Sequence, residues 1–203
     1  ITDQRVVDVL LGAFYQAVPD RVCAACSGEM NLINVGGLDP NTGEYYNYVE
    51  TYAGGMGAMY DLDGEDGVHT HLTNTRNAPV EVIEGTYPLR VERYGLVPDT
   101  EGAGRRRGGC GMLRELRCLG ERTLLTMGAD RRKFLPWGLD GGEAAEGSHC
   151  WVINADETRT ELPTKVFTEL KKGDRLLVQT PGGGGWGDPG ERDPESVRLD
   201  LRE

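Results

Sequence analysis

Val6, Val9, Leu10, Ala13, Phe14 and Ala17 recur at spacings of three and four and form one apolar stripe. The pattern predicts an amphipathic helix over residues 3–18, and such a stripe is the side by which a helix ordinarily packs. Thr2 stands where a cap is expected, Asp3 suits the positive end of the helix dipole, and Pro19-Asp20 ends the run. Beyond it the rhythm changes to short apolar runs broken by Gly, Pro and Asp. Strands are predicted over residues 32–35, 45–51, 68–74, 89–94, 112–119, 123–127, 150–153 and 175–179. Glycine-rich joints lie between them, such as Gly54-Gly55, Gly108-Gly109 and Gly141-Gly142. Asp193-Pro194 near the end predicts the start of a second helix. No internal repeat or domain boundary is visible. The expected fold is α+β, a single β-rich region across residues 1–203 with many short strands, glycine-rich turns and one clear N-terminal helix.

Composition sharpens this picture. Glycine supplies 30 of 203 residues, about twice the usual share of roughly 7%, which favours a turn-rich β body over a helical bundle. The net charge of −11 opposes binding to nucleic acid phosphates. No apolar run approaches the ~18 residues of a membrane span, and no basic segment followed by an apolar one suggests a signal peptide. The chain opens on Ile1 and closes on Glu203. It reads as a cytoplasmic piece of a longer polypeptide, incomplete at both ends, or as a split or processed subunit. Of five cysteines, Cys23 and Cys26 form a single C-x-x-C. A structural zinc site ordinarily needs two such pairs or added histidines. Reduced, buried thiols are the expected state, with a redox or zinc role for the pair left open.

Candidate chemistry concentrates in one segment, His69-Thr70-His71-Leu72-Thr73-Asn74-Thr75-Arg76-Asn77. On a strand, His69, His71 and Thr73 would share one face. Two imidazoles there can share a metal, orient a carbonyl, exchange protons near neutral pH, or serve as hydrogen-bonded structural groups. Asn74 and Arg76 are candidate substrate contacts. Glu81 and Glu84 are further candidate substrate contacts; on a helix they would lie together, either holding this cluster in place or facing solvent. Arg105, Arg106 and Arg107 sit between glycines and are expected to pair with carboxylates from elsewhere in so acidic a chain. The run Thr180-Pro181-Gly182-Gly183-Gly184-Gly185-Trp186-Gly187-Asp188-Pro189 reads as an ordered glycine turn under an aromatic ring, or as a nest of N–H groups for an anion. It lacks the Lys-Ser/Thr of a phosphate-binding loop.

Several blocks in this order carry a family likeness. They are Asp66-Gly67-Val68-His69 through Arg76, Pro79-Val80-Glu81 with Glu84, and Pro98-Asp99-Thr100-Glu101-Gly102 through Gly109. Lys133-Phe134 with Pro136-Trp137-Gly138-Leu139, Lys171-Lys172-Gly173-Asp174, and the glycine run with Arg192-Asp193-Pro194 complete the set. Together they cover nearly the whole chain and resemble the hydantoinase B/oxoprolinase family. The resemblance implies the C-terminal part of a larger subunit of an ATP-dependent enzyme that opens small cyclic amides such as hydantoins, 5-oxoproline or lactams. Subunits of ATP-dependent ketone carboxylases, or a non-catalytic scaffold segment, are the alternatives. It implies ATP with Mg2+ on a hydantoinase A-type partner, and a divalent metal in the absent N-terminal part of the same subunit. No metal site is carried onto His69 and His71, which are expected as catalytic residues.

Overall fold

The computed structural model describes residues 2–201. Two antiparallel sheets dominate it. The first contains β1 (Leu32–Leu38), β2 (Tyr45–Glu50), β5 (Arg122–Gly128) and β8 (Lys165–Lys171) in the order β2-β1-β5-β8. The second contains β3 (Leu89–Val97), β4 (Gly111–Cys118), β6 (His149–Ile153), β7 (Arg159–Glu161) and β9 (Arg175–Gln179) in the order β3-β4-β9-β6-β7. Alternation along the strands turns Ile33 and Val35 of β1, Leu125 and Met127 of β5, and Leu116 of β4 into one shared core with Val178 and Leu176 of β9. Three helices flank the sheets: α1 (Thr2–Phe14), α2 (Val80–Thr86) and α3 (Pro194–Asp200). The Asp193 side chain accepts from Ser196 N and caps α3.

The predicted strands match seven observed ones. Residues 68–74 are the exception. Only Val68 forms a β-bridge, with Gly54, and the chain then turns at His71, whose φ is 56°. β7 and β8 were not predicted: β7 has three exposed residues, and β8 is an edge strand that leaves Phe167 in solvent.

α1 also departs from expectation. Thr2 is itself helical, and the helix gives way to a turn over residues 15–17. Its apolar stripe faces outward, with Val9 71% and Phe14 55% exposed, while the buried positions are Gln4 and Asp8. Leu11 and Tyr15 pack on a small second core of Val22, Ala24, Ala58, Leu139 and Trp186.

That second core belongs to a glycine-rich layer. The expected glycine turn is instead an extended, fully buried rod. Its N–H groups reach outward with a period of three. Gly182 and Gly185 donate to Glu146 and Glu143; Gly183 and Trp186 donate to Gly109 and Arg106; Gly184 donates to Ala25. Three residues per turn with outward-directed amides is the geometry of a polyproline II-like helix. None of the four glycines has a left-handed φ; close approach makes glycine necessary. A Cβ on Gly183 would stand 2.0 Å from Met56 O, and one on Gly184 2.1 Å from Trp137 O. Trp186 closes the rod, buried edge-on against Tyr60, with the Arg105 guanidinium 5.0 Å from each ring. Arg107 pairs with Asp66 at 2.9 Å and Asp200 at 3.1 Å, as expected of that arginine cluster.

Candidate active site

Between the Gly67–Val68 turn and the start of α2 the chain runs without regular structure and walls a polar cleft of about 350 Å³. His69, Asn74, Thr75, Arg76 and Asn77 line it, with Tyr94 of β3 opposite. His69 is half-buried. Desolvation pushes its pKa below the ordinary value, with the charge of Glu50 and the backbone of Thr51 pulling the other way. The imidazole is therefore neutral near pH 7 and able to accept a proton.

A buried ion pair stands behind two of the residues that line the cleft, Asn77 and Tyr94. Glu50 stands on the inner face of β2, in register with Ile33, and Arg114 shares the inner face of β4 with Leu116. Such a pair depends on the hydrogen bonds around it. Both carboxylate oxygens of Glu50 accept, while Nε and Nη2 of Arg114 have no hydrogen-bond partner and face the Tyr52 and Tyr94 rings only as part of the cation. Arg114 Nη1 meets Glu50 Oε2 at 2.6 Å, and the Tyr48 hydroxyl donates to the same oxygen. Glu50 Oε1 accepts from Ala78 N at 2.6 Å and from Asn77 Nδ2 at 3.2 Å. The guanidinium carbon of Arg114 lies 4.1 Å from the centre of the Tyr94 ring and 4.9 Å from that of Tyr52. The pair thus holds Asn77 in place and braces the Tyr94 wall.

His71 turns away from this cleft, towards α1. Its Nε2 stands 3.3 Å from Asp8 Oδ1. The Asp8 contact and, secondarily, Cys26 push its pKa up to about 10, so it is an imidazolium at neutral pH. Arg131 completes the hub. It donates to Asp8, to Ser27 O at 3.0 Å, to Cys26 O at 3.1 Å and to Leu135 O at 3.3 Å. Gly28, at φ 59°, makes room: a Cβ there would lie 2.6 Å from both Arg131 Nη2 and Asp8 Oδ2. Gln4 ties the same helix face to Thr70 O at 3.3 Å and to Thr73. Nearby, burial pushes Glu29 up to about 7.

The predicted residues therefore fall into three places. His69, Asn74 and Arg76 share the cleft, and His71 joins a separate hub. Glu81 and Glu84 are exposed on α2 outside the cleft; Glu84 accepts from Val91 N at 2.9 Å, where β3 bulges. The glycine rod spends its N–H groups on carbonyls, which leaves none of the four free to nest an anion. Sequence reasoning missed Glu50, Arg114, Asp8 and Arg131. Charged residues at inward-facing positions of β2 and β4 were the available signal for the first two. Cys23 and Cys26 are both free and buried, and Gly57 N donates to Cys26 Sγ at 3.3 Å. Among the described residues, no group of three or more His, Cys, Asp or Glu could hold a metal ion, and no helix is long and apolar enough to cross a membrane.

The model of the hydantoinase B/oxoprolinase family matches residues 1–189. The chain belongs to that family. A putative B-type component of a D-/L-hydantoinase from Pseudomonas sp. strain NS671 is 37% identical over 198 residues, covering 97% of this chain and 33% of that protein. A 5-oxoprolinase of Pestalotiopsis fici is 35% identical over 208 residues, covering 98% of this chain and 16% of its own length. The crystal structure of the ATP-dependent caprolactamase from Pseudomonas jessenii superposes with a TM-score of 0.77 at 25% identity, over 94% of this chain and 34% of that one. This family member thus spans a third or less of the length of the hydantoinase component and the oxoprolinase.

Proposed function

We propose that this chain is the C-terminal part of a subunit of an ATP-dependent enzyme that hydrolyses small cyclic amides. The observation that carries the reading is the cleft at His69. A neutral imidazole stands beside amide and guanidinium donors, with the Glu50–Arg114 pair behind the lining residues Asn77 and Tyr94. Such a site can hold a polarised carbonyl and remove a proton from attacking water. Asn74 and Arg76 orient the oxygen that gains charge, and His69 accepts the proton. His71, fixed as an imidazolium by Asp8, positions the loop that carries His69.

The names of the hydantoinase component, the oxoprolinase and the caprolactamase support a cyclic amide as substrate and ATP as the source of activation. ATP with Mg2+ is assigned to a hydantoinase A-type partner, and a divalent metal to the upstream part of this subunit. The outward apolar stripe of α1 (Val6, Val9, Leu10 and Phe14, all at least half exposed) fits a contact with that upstream part. We read the assembly as cytoplasmic, in keeping with five cysteines that are all free in this chain.

The test is to coexpress the full subunit with its partner and to measure ADP formation and ring opening on a hydantoin, 5-oxoproline and caprolactam. ADP release should follow ring opening on at least one of them. His69→Ala should lower kcat by about 100-fold or more, the usual contribution of a general base. Full turnover in that variant would overturn the assignment.

A further inference from the structure

A second cleft, of about 470 Å³, adjoins the Asp8–Arg131 hub, with Arg131 in its lining. Arg5 of α1 and the consecutive Arg131, Arg132 and Lys133 line it, with Phe134, Thr164 and one acid, Asp130. Four cations around one cleft run against a chain whose net charge is −11. Internal pairing accounts for only part of them. Arg131 is consumed by Asp8 and three carbonyls. Arg132 donates to Ser148 O and Leu162 O and has Glu161 at 3.6 Å, yet its Nη2 is buried with no hydrogen-bond partner. Arg5 Nη1 is likewise buried without a hydrogen bond, with Asp8 at 3.9 Å. Lys133 has no carboxylate within ion-pair distance among the described residues, and its Nζ lies 5.5 Å from the centre of the Phe134 ring.

A guanidinium nitrogen left unbonded is costly, but Arg106 and Arg114 carry such nitrogens elsewhere. What sets this cleft apart is the gathering of Arg5, Arg132 and Lys133 around it with a single acid in its lining. Three cationic side chains only partly paired within the chain, beside a hydroxyl and an exposed aromatic wall, match one chemical class. We propose that this cleft binds a compact oxyanion, a phosphate or a carboxylate, through Arg5, Arg132 and Lys133, with any attached apolar body lying against Phe134. Its volume lies within the usual range for small-molecule sites, roughly 300–1,000 Å³. The source of the oxyanion rests on the cyclic-amide reading. Hydrolysis breaks the ring C–N bond, forms a C–O bond from water and leaves on one product a carboxylate and the released nitrogen, an amine from a lactam or 5-oxoproline and a carbamoyl nitrogen from a hydantoin; ATP consumption releases phosphate. The two sources share the same recognition chemistry.

The experiment titrates the full subunit that carries this chain with inorganic phosphate and with butyrate, using butyramide and chloride at matched ionic strength as controls, and follows backbone amide resonances. Phosphate or butyrate should produce saturable shifts at residues 131–134 and at Thr164. Phosphate alone identifies phosphoryl recognition, and butyrate alone identifies the carboxylate. Arg132→Gln should weaken binding about tenfold, as expected for a charge-assisted hydrogen bond. Because Arg132 also holds two backbone carbonyls, the exposed Lys133→Gln is the second variant, with a loss of about threefold. Shifts that fail to saturate, that chloride or butyramide reproduce, or that Lys133→Gln leaves unchanged would overturn the site. Oxyanion binding in a protein whose full assembly leaves cyclic amides intact would keep the cleft and remove ring opening as the source. Ring opening without binding here would do the reverse.

Discussion

The β-sandwich and the glycine-rich layer are both buried, yet opposite parts of the residue hold them together. In the sandwich, side chains such as Ile33, Leu116 and Leu125 interlock between sheets whose backbones pair mainly within each sheet. In the layer, main chain meets main chain. Gly184 N donates to Ala25 O at 2.8 Å, Gly184 O accepts from Ala58 N at 2.9 Å, and a missing Cβ makes each approach possible. A core of side chains absorbs a changed volume by repacking, at a cost that grows with the cavity. A layer of backbones has no rotamers to adjust. The comparison teaches that glycine count measures close packing here as much as it measures turns.

The contrast breaks first at Gly184→Val. With Trp137 O 2.1 Å from the position of its Cβ, the chain should fail to fold or to assemble. A soluble, correctly assembled variant that merely binds substrate less well would show that the layer yields. Arg114→Ala comes next. It strands Glu50 beneath the sandwich, and leaving one buried charge unpaired costs about 3–5 kcal/mol, measurable by urea unfolding at constant m-value.

His71→Gln has a smaller effect, and one that depends on pH. The folded protein holds the His71 proton up to about pH 10, whereas the unfolded chain releases it near 6.5. The pair's contribution to stability is therefore complete below pH 6.5 and is lost as pH rises towards 10. Melting temperatures of the parent and variant should differ most at pH 6 and converge by pH 10. A constant gap would show that Asp8 does not hold the proton. The smallest effect is the control, Gly85→Ala. This glycine lies within α2 and has nothing within 4 Å of its would-be Cβ. It should gain up to about 1 kcal/mol from helix propensity. Destabilisation there would blur the distinction between glycines packed against backbone and glycines in open space.

Most strands were legible because their inner and outer residues alternate and glycines mark their ends. β8 carries the same alternation, but its lysine termini and exposed Phe167 mask it. The 68–74 segment misled because a run with histidines at alternate positions looks like a strand face, while the chain turns at His71. α1 misled for a deeper reason. Periodicity finds a stripe but not which side is covered, and in this chain Asp8 and Gln4 are drawn inward by Arg131, His71 and Thr70. Those partners lie far along the sequence, and no local pattern announces them. The cleft was half legible: His69, Asn74 and Arg76 are neighbours in sequence, whereas Glu50 and Arg114 arrive from two different sheets.

The glycine rod also sets an order of events. Its bonds reach Ala25, Ala58, Gly102, Gly109 and Glu143, segments spread widely along the chain, and it is synthesised after every one of them. Contacts of such long sequence separation form slowly, because loop closure must precede them. β9, which the sandwich needs, ends at Gln179, just before the rod, so the last stretch of this chain completes both, and the layer closes only with residues 182–185. Until then the amides and carbonyls of five segments face water, and the nascent protein waits on four glycines for its final shape.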